Sequence, residues 1–212
     1  MHEQRSGLFD RVDDSSSLPP DVRNPLLTLA NAISVARLVA APFSLAAVLG
    51  GAWLVAAGIF VAAVASDFLD GFVARRRGTA SALGGILDHT ADAVFVTLTL
   101  WAIAYGEAQV RSDVVPGILP LFIALAFLQY LLDSKALAGQ PLRTSVLGRI
   151  NGIAYFVVVG VVVIRNALGI GWLPDEVIYW SCLAVVVSTL VSMLDRLRTL
   201  MKTPALRGKN DS

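Results

Sequence analysis

Residues 66–93 read SDFLDGFVARRRGTASALGGILDHTADA and set four carboxylates, Asp67, Asp70, Asp88 and Asp92, between the apolar runs AWLVAAGIFVAAVA and VFVTLTLWAIA. Asp67 and Asp70 are spaced i, i+3, and Asp88 and Asp92 i, i+4, so each pair lies on one helix face with side chains about 5–6 Å apart. The connection RRRGTASALG, centred on Thr79 and Ala80, offers charge, Gly and small residues for a turn. In an antiparallel hairpin about that centre, Asp67 comes level with Asp92 and Asp70 with Asp88. The spacing predicts a hairpin that gathers all four carboxylates in one cluster. An Asp at mid-bilayer costs about 2.5–3.5 kcal/mol, and like charges repel, so the cluster calls for a compensating cation or a water-filled cavity. An all-oxygen donor set suits Mg²⁺ or Mn²⁺ rather than Zn²⁺. His89, beside Asp88, turns to another helix face and is expected to make a polar contact. The alternative use of such carboxylates is a proton or ion relay.

The flanking sequence says what solvent this hairpin meets. Of 212 residues, 56% are hydrophobic and 16% charged, which excludes an ordinary soluble domain and places the chain in the membrane class. Apolar runs of about 20 residues fall at 31–50, 52–73, 84–106, 115–137, 150–168 and 173–194. The expected fold is an all-α integral membrane protein with six transmembrane helices, the first two joined tightly at Gly50-Gly51. PDVRNPLLTLANAISVARL, leading into the first span, is either a short interfacial helix or a tail running straight into it. The chain divides into a tail over 1–23, disordered or interfacial, a membrane domain over 24–200 and a second tail over 201–212. The polar opening residues predict no secretory leader. Cys182 lies in an apolar run and reads as packing, and Trp172, Tyr179 and Trp180 as interfacial aromatics.

The basic residues fix an orientation, since Lys and Arg gather in cytoplasmic loops. With both termini inside, the inner segments hold Arg5, Arg11, Arg23 and Arg37, then Arg75, Arg76 and Arg77, then Lys135, Arg143 and Arg149, then Arg196, Arg198, Lys202, Arg207 and Lys209. The outer loops hold Arg111 and Arg165. The net charge of +1 therefore conceals a basic inner face suited to anionic lipid or phosphate. The spacer between the aspartates points the same way. Gly71, Ala74, Gly84 and Gly85 keep backbone approachable while Arg75 offers a guanidinium to phosphate oxygens, an arrangement that fits a metal-bridged pyrophosphate.

These residues spell Asp-x2-Asp-Gly-x2-Ala-Arg-x8-Gly-x3-Asp-x3-Asp through Asp67, Asp70, Gly71, Ala74, Arg75, Gly84, Asp88 and Asp92, which resembles the signature of the CDP-alcohol phosphotransferases at every fixed position. Upstream, NAISVAR with Asn31, Ser34 and Arg37 is similar to a pattern these enzymes carry on their first membrane helix. The resemblance covers about residues 24–200. It implies a membrane phospholipid-synthesis enzyme that transfers a phosphatidyl group from CDP-diacylglycerol, or another group from a CDP-alcohol, to the hydroxyl of a polar acceptor with release of CMP. It further implies one or two Mg²⁺ or Mn²⁺ ions on Asp67, Asp70 and Asp88, with Asp92 near the second ion and acting as general base. Asn31, Ser34, Gly71, Ala74, Arg75, Ser81 and Gly84 would bind the CDP donor. A homodimer in a bacterial inner or cell membrane, with the active site cytoplasmic, is implied as well. No nucleic-acid partner is expected.

The acceptor is read from the third cytoplasmic segment, between the fourth and fifth spans. Lys135, Arg143 and Arg149 are candidate ligands of an acceptor phosphate, with glycerol 3-phosphate in the lead, and the bland reading of them is an ordinary positive-inside loop. LDHTAD stands where glycerophosphate-using members read LDPLAD, which leaves inositol phosphate, serine, glycerol and a CDP-linked polyol open. Membrane prenyltransferases also hold pyrophosphate with Asp and Mg²⁺ but place the motifs on separate hairpins. An ion-coupled carrier is the alternative of another class, and the broken helices and repeats expected of one are not evident.

Overall fold

The computed structural model describes residues 29–77, 82–106, 114–133 and 146–202. These form six α-helices: α1 (Leu29–Leu49), α2 (Trp53–Arg77), α3 (Ala82–Tyr105), α4 (Ile118–Asp133), α5 (Val146–Ala167) and α6 (Asp175–Lys202). Each apolar run expected from the sequence corresponds to one helix. Four of them, over Asn31–Leu49, Gly84–Tyr105, Val146–Ala167 and Asp175–Arg198, are long and apolar enough to cross a membrane. Among the described residues the apolar helical stretches of α2 and α4 run over Trp53–Phe68 and Ile118–Leu132. The expected interfacial helix before α1 lies outside the described residues.

The turns follow from glycine chemistry. Gly51 takes φ +68°, and its N–H donates to the Val48 carbonyl while that of Ala52 donates to Ala47, a Schellman cap that reverses the chain within three residues. Gly169, at φ +63°, ends α5 in the same way, with Ile170 donating to Arg165. Beyond it Arg165 pairs with Asp175 at the start of α6.

The helices pack in the closed order α1, α2, α5, α6, α4, α3 and back to α1, with α3 also touching α5 across the middle. The N-terminal ends of α1, α3 and α5 and the C-terminal ends of α2, α4 and α6 thus lie at one end of the ring. The opposite end is solid: Val48, Trp53, Leu100, Ile103, Val115, Leu119, Val159, Val163, Ile178 and Cys182 are buried together there. Gly160 lets α5 approach α2 closely, because a Cβ at that position would sit 2.8 Å from the Phe60 ring. Between α1 and α3, Ser44 and Thr99 share a buried hydrogen bond of 2.9 Å, the kind of small polar contact that joins helices in lipid. Val39, Phe43, Leu54, Val61, Val157 and Val187 point outward and are exposed. On a membrane protein that is the lipid-facing surface, since bilayer and apolar side chain are alike in polarity.

Among the described residues α1 packs along both α2 and α3, and the extended interfaces do not include α2 with α3. Two faces that both carry carboxylates repel, and a cation from a third helix keeps them at a working distance.

Candidate active site

That cation is Arg37. Its side chain is 0% exposed and its guanidinium meets Asp67 at 3.3 Å, Asp88 at 3.0 Å and Asp92. The three carboxylates offer oxygens that all lie within 4.8 Å of one another. The level pairing of Asp67 with Asp92, expected from the sequence, is therefore realised. Ser34, one turn before Arg37 on the same face of α1, donates to Asp88 at 3.4 Å. Asn31, a further turn back, is also buried. The spacing of Asn31, Ser34 and Arg37 thus places all three on the face of α1 that meets the acidic helices.

Charge and exposure divide the cluster into two sides. Arg37 closes the α1 side, while Asp67, Asp88 and Asp92 remain 44%, 31% and 29% exposed. Each carboxylate holds Arg37 with one oxygen and keeps an accessible edge. Three hard, anionic oxygens that converge without thiolate or imidazole suit a divalent cation of the Mg²⁺ type. Asp70, Gly71, Ala74 and Arg75 lie on α2 within two turns of the cluster, and their side chains are outside the described residues, as is Ser81. Gly84 lies in the first turn of α3, one turn before Asp88.

A cavity of about 690 Å³ opens beside the carboxylates, between α2, α3, α4, α5 and α6. Asp67, His89, Asp92, Arg149 and Arg196 line it together with the apolar Phe60, Val96, Ile123 and Phe156. Among the residues expected to meet an acceptor phosphate, Arg149 is thus on the cavity wall. Lys135 and Arg143 lie outside the described residues. His89 makes the expected polar contact, with Nδ1 3.1 Å from the Gly85 carbonyl, and also stacks on Tyr130 at 5.3 Å. The Arg196 guanidinium covers the Tyr130 ring at 4.7 Å.

Sequence reasoning gave Arg196 and Tyr130 no place in the site, and gave Arg37 a place in the NAISVAR pattern and the inner basic face but no carboxylate partner. Arg196 was hidden in a basic tail. Arg37 carried a signal, for a charged residue three positions beyond Ser34 and well inside an apolar run needs a buried partner.

An all-helical membrane bundle with an acidic cluster and an arginine-bearing cavity at one end defines the class to which the chain is compared. The sequence profile of the CDP-alcohol phosphatidyltransferases matches residues 27–196, and the chain belongs to that family. It is an integral membrane protein. It is similar to a cardiolipin synthase (CMP-forming) of Oryza sativa subsp. japonica, with 36% identity over 90 residues, 41% of this chain and 27% of the relative. A CDP-diacylglycerol–glycerol-3-phosphate 3-phosphatidyltransferase of Arabidopsis thaliana is 34% identical over 90 residues, 41% of this chain and 30% of the relative. A cardiolipin synthase (CMP-forming) of Streptomyces coelicolor is 35% identical over 109 residues, 49% of this chain and 46% of the relative. The chain thus spans less than half the length of these curated relatives. No solved structure matches it.

Proposed function

We propose that the chain is a phosphatidyltransferase that moves a phosphatidyl group from CDP-diacylglycerol to a hydroxyl of a glycerol phosphate acceptor, releasing CMP. The observation that carries this reading is that Asp67 and Asp92 of the carboxylate cluster share one cavity with Arg149 and Arg196. Carboxylates that can hold a cation on a pyrophosphate and arginines that can hold a second phosphate line the same cavity. The names of the relatives support both the CDP-diacylglycerol donor and a glycerol-type acceptor.

In this mechanism Asn31, Ser34, Gly71, Ala74, Arg75, Ser81 and Gly84 hold the CDP part of the donor. When bound by Asp67, Asp70, Asp88 and Asp92, one or two Mg²⁺ or Mn²⁺ ions supply positive charge against the pyrophosphate and the departing CMP. Asp92 accepts the proton of the acceptor hydroxyl as that oxygen attacks the β-phosphorus in line. The new P–O bond forms as the bond to the oxygen of CMP breaks, and CMP leaves with the electron pair. Arg149 and Arg196 orient the acceptor phosphate, and Arg37 holds the carboxylates in register. The proposal includes six membrane crossings, a membrane domain over 24–200 and a homodimer in a bacterial cell membrane, with the basic end of the bundle and both termini cytoplasmic.

The test is CMP release by the purified protein with CDP-diacylglycerol and Mg²⁺ in detergent. Glycerol 3-phosphate, phosphatidylglycerol, inositol phosphate, inositol, serine and glycerol are offered separately. A glycerol phosphate compound is expected to be the best acceptor, and excess chelator to abolish turnover. An ion-coupled carrier would release no CMP, and free serine or inositol as best acceptor would refute the glycerol phosphate reading. Arg149→Ala is expected to raise the acceptor KM at least about tenfold while the donor KM stays within about twofold, because only the acceptor loses a charged partner. An unchanged acceptor KM would reduce Arg149 to a topology signal.

A further inference from the structure

The cavity has a second chemistry besides charge. Three buried polar atoms in residues that line it have no hydrogen-bond partner among the described residues: the Tyr130 hydroxyl, Gln129 Oε1 and Asn151 Nδ2. Tyr130 and Asn151 are 7% and 2% exposed. A buried polar group without a partner destabilises the empty protein by about 1–3 kcal/mol, so three in residues that line one cavity call for a ligand. Their neighbours hold them in place. Gln129 Nε2 donates to the Met193 carbonyl at 3.0 Å, which leaves Oε1 as an acceptor. Ser188 donates to Asn151 Oδ1 at 2.6 Å, which leaves Nδ2 as a donor. Tyr130 is held between His89 and Arg196, and its hydroxyl can both donate and accept.

One free donor, one free acceptor and one group that is either match alcohol hydroxyls, which also donate and accept. A carboxylate or a second phosphate would leave Gln129 Oε1 facing a lone pair. We propose that Tyr130, Gln129 and Asn151 read the hydroxyl that does not react on a vicinal-diol phosphate acceptor. That chemistry occurs both in free glycerol phosphate and in a glycerol phospholipid headgroup. The proposal rests on the reading of this cavity as the acceptor site. It assigns these residues to acceptor selection, with the reacting hydroxyl left to Asp92.

The experiment offers glycerol 3-phosphate and phosphatidylglycerol, each beside its analogue lacking the secondary hydroxyl, 3-hydroxypropyl phosphate and the corresponding propanediol phospholipid. The full-length protein is assayed as wild type, Tyr130→Phe and Gln129→Met. Wild type is expected to favour a diol over its deoxy analogue by roughly 100-fold or more in kcat/KM, because the analogue leaves buried groups unpaired. Tyr130→Phe is expected to raise the diol KM about tenfold and to narrow that preference by a similar factor, with donor KM unchanged. Its Tm without acceptor should be equal to wild type or up to roughly 4 °C higher, since an unpaired buried hydroxyl has been removed. A merely structural tyrosine would instead lose Tm. The ratio of the two diol rates tells free acceptor from lipid headgroup, and either source meets the expectation. Equal use of diol and deoxy analogue by wild type, or unchanged diol KM in both variants, overturns the proposal while leaving the transferase reading intact. No CMP with either diol refutes the acceptor reading and this proposal together.

Discussion

Asp92→Asn is expected to lower CMP release by at least about 1,000-fold, with the protein still found in the membrane at wild-type level. General-base removal alone accounts for about 10²–10⁴ in rate, and an amide is also a poorer partner for a hard cation than a carboxylate. The same loss, by orders of magnitude, is expected for Asp67→Asn, Asp70→Asn and Asp88→Asn. Folding is not the route to that loss. Arg37 meets three carboxylates, so each single variant at Asp67, Asp88 or Asp92 leaves it two. Removing a buried negative charge should, if anything, ease insertion. Thermal unfolding within a few degrees of wild type, measured beside the assay, separates lost chemistry from lost structure. Near wild-type turnover in two of the four variants would remove the carboxylate cluster from the mechanism.

The helices were legible because their signal is long and redundant. Runs of about 20 apolar residues are specified by lipid, so a few substitutions do not blur them, and every expected run appears as a helix. The meeting of Asp67 with Asp92 was legible too, because helical spacing on either side of a turn leaves little freedom. What the sequence concealed is contact between elements distant along the chain. Nothing local to α2 and α3 says that α1 packs against both. Arg37 therefore read as a basic residue of the inner face and a member of the NAISVAR pattern, with no role of its own until its three carboxylate partners were in view. Tyr130 and Arg196, 66 positions apart, meet only because α4 packs on α6. Asn151 stands two positions after Arg149 in a segment read for its charge, although its buried amide is as informative as the arginine. Charge patterns mark one end of the bundle, whereas buried polar groups mark contacts between distant elements, and the two have to be weighed separately.

Arg37→Gln is the substitution with the largest expected effect on stability. It leaves three carboxylates within 4.8 Å of one another and takes away the guanidinium that faces them. Breaking a buried ion pair from one side costs about 3–5 kcal/mol. The carboxylates are 29–44% exposed, so water relieves part of that cost and the lower end applies. A loss of about 3 kcal/mol corresponds to a fall of roughly 6–12 °C in Tm for a chain of this size. That fall should be largest in chelator, where repulsion among the carboxylates is uncompensated. Millimolar Mn²⁺ should reverse much of it, because binding to the folded cluster stabilises by mass action. Wild type, with its own cation in place, should shift less between the two conditions. Arg37→Lys should fall between them, since a single ammonium cannot present the planar fork that reaches carboxylates on two helices. The measurement is thermal unfolding of the three proteins in detergent, with chelator and with Mn²⁺. If Arg37→Gln unfolds at the wild-type temperature in chelator, Arg37 is not the counter-charge that holds α1, α2 and α3 together. A fall that Mn²⁺ leaves untouched would mean that Arg37 packs the bundle without balancing the charge of a cation site.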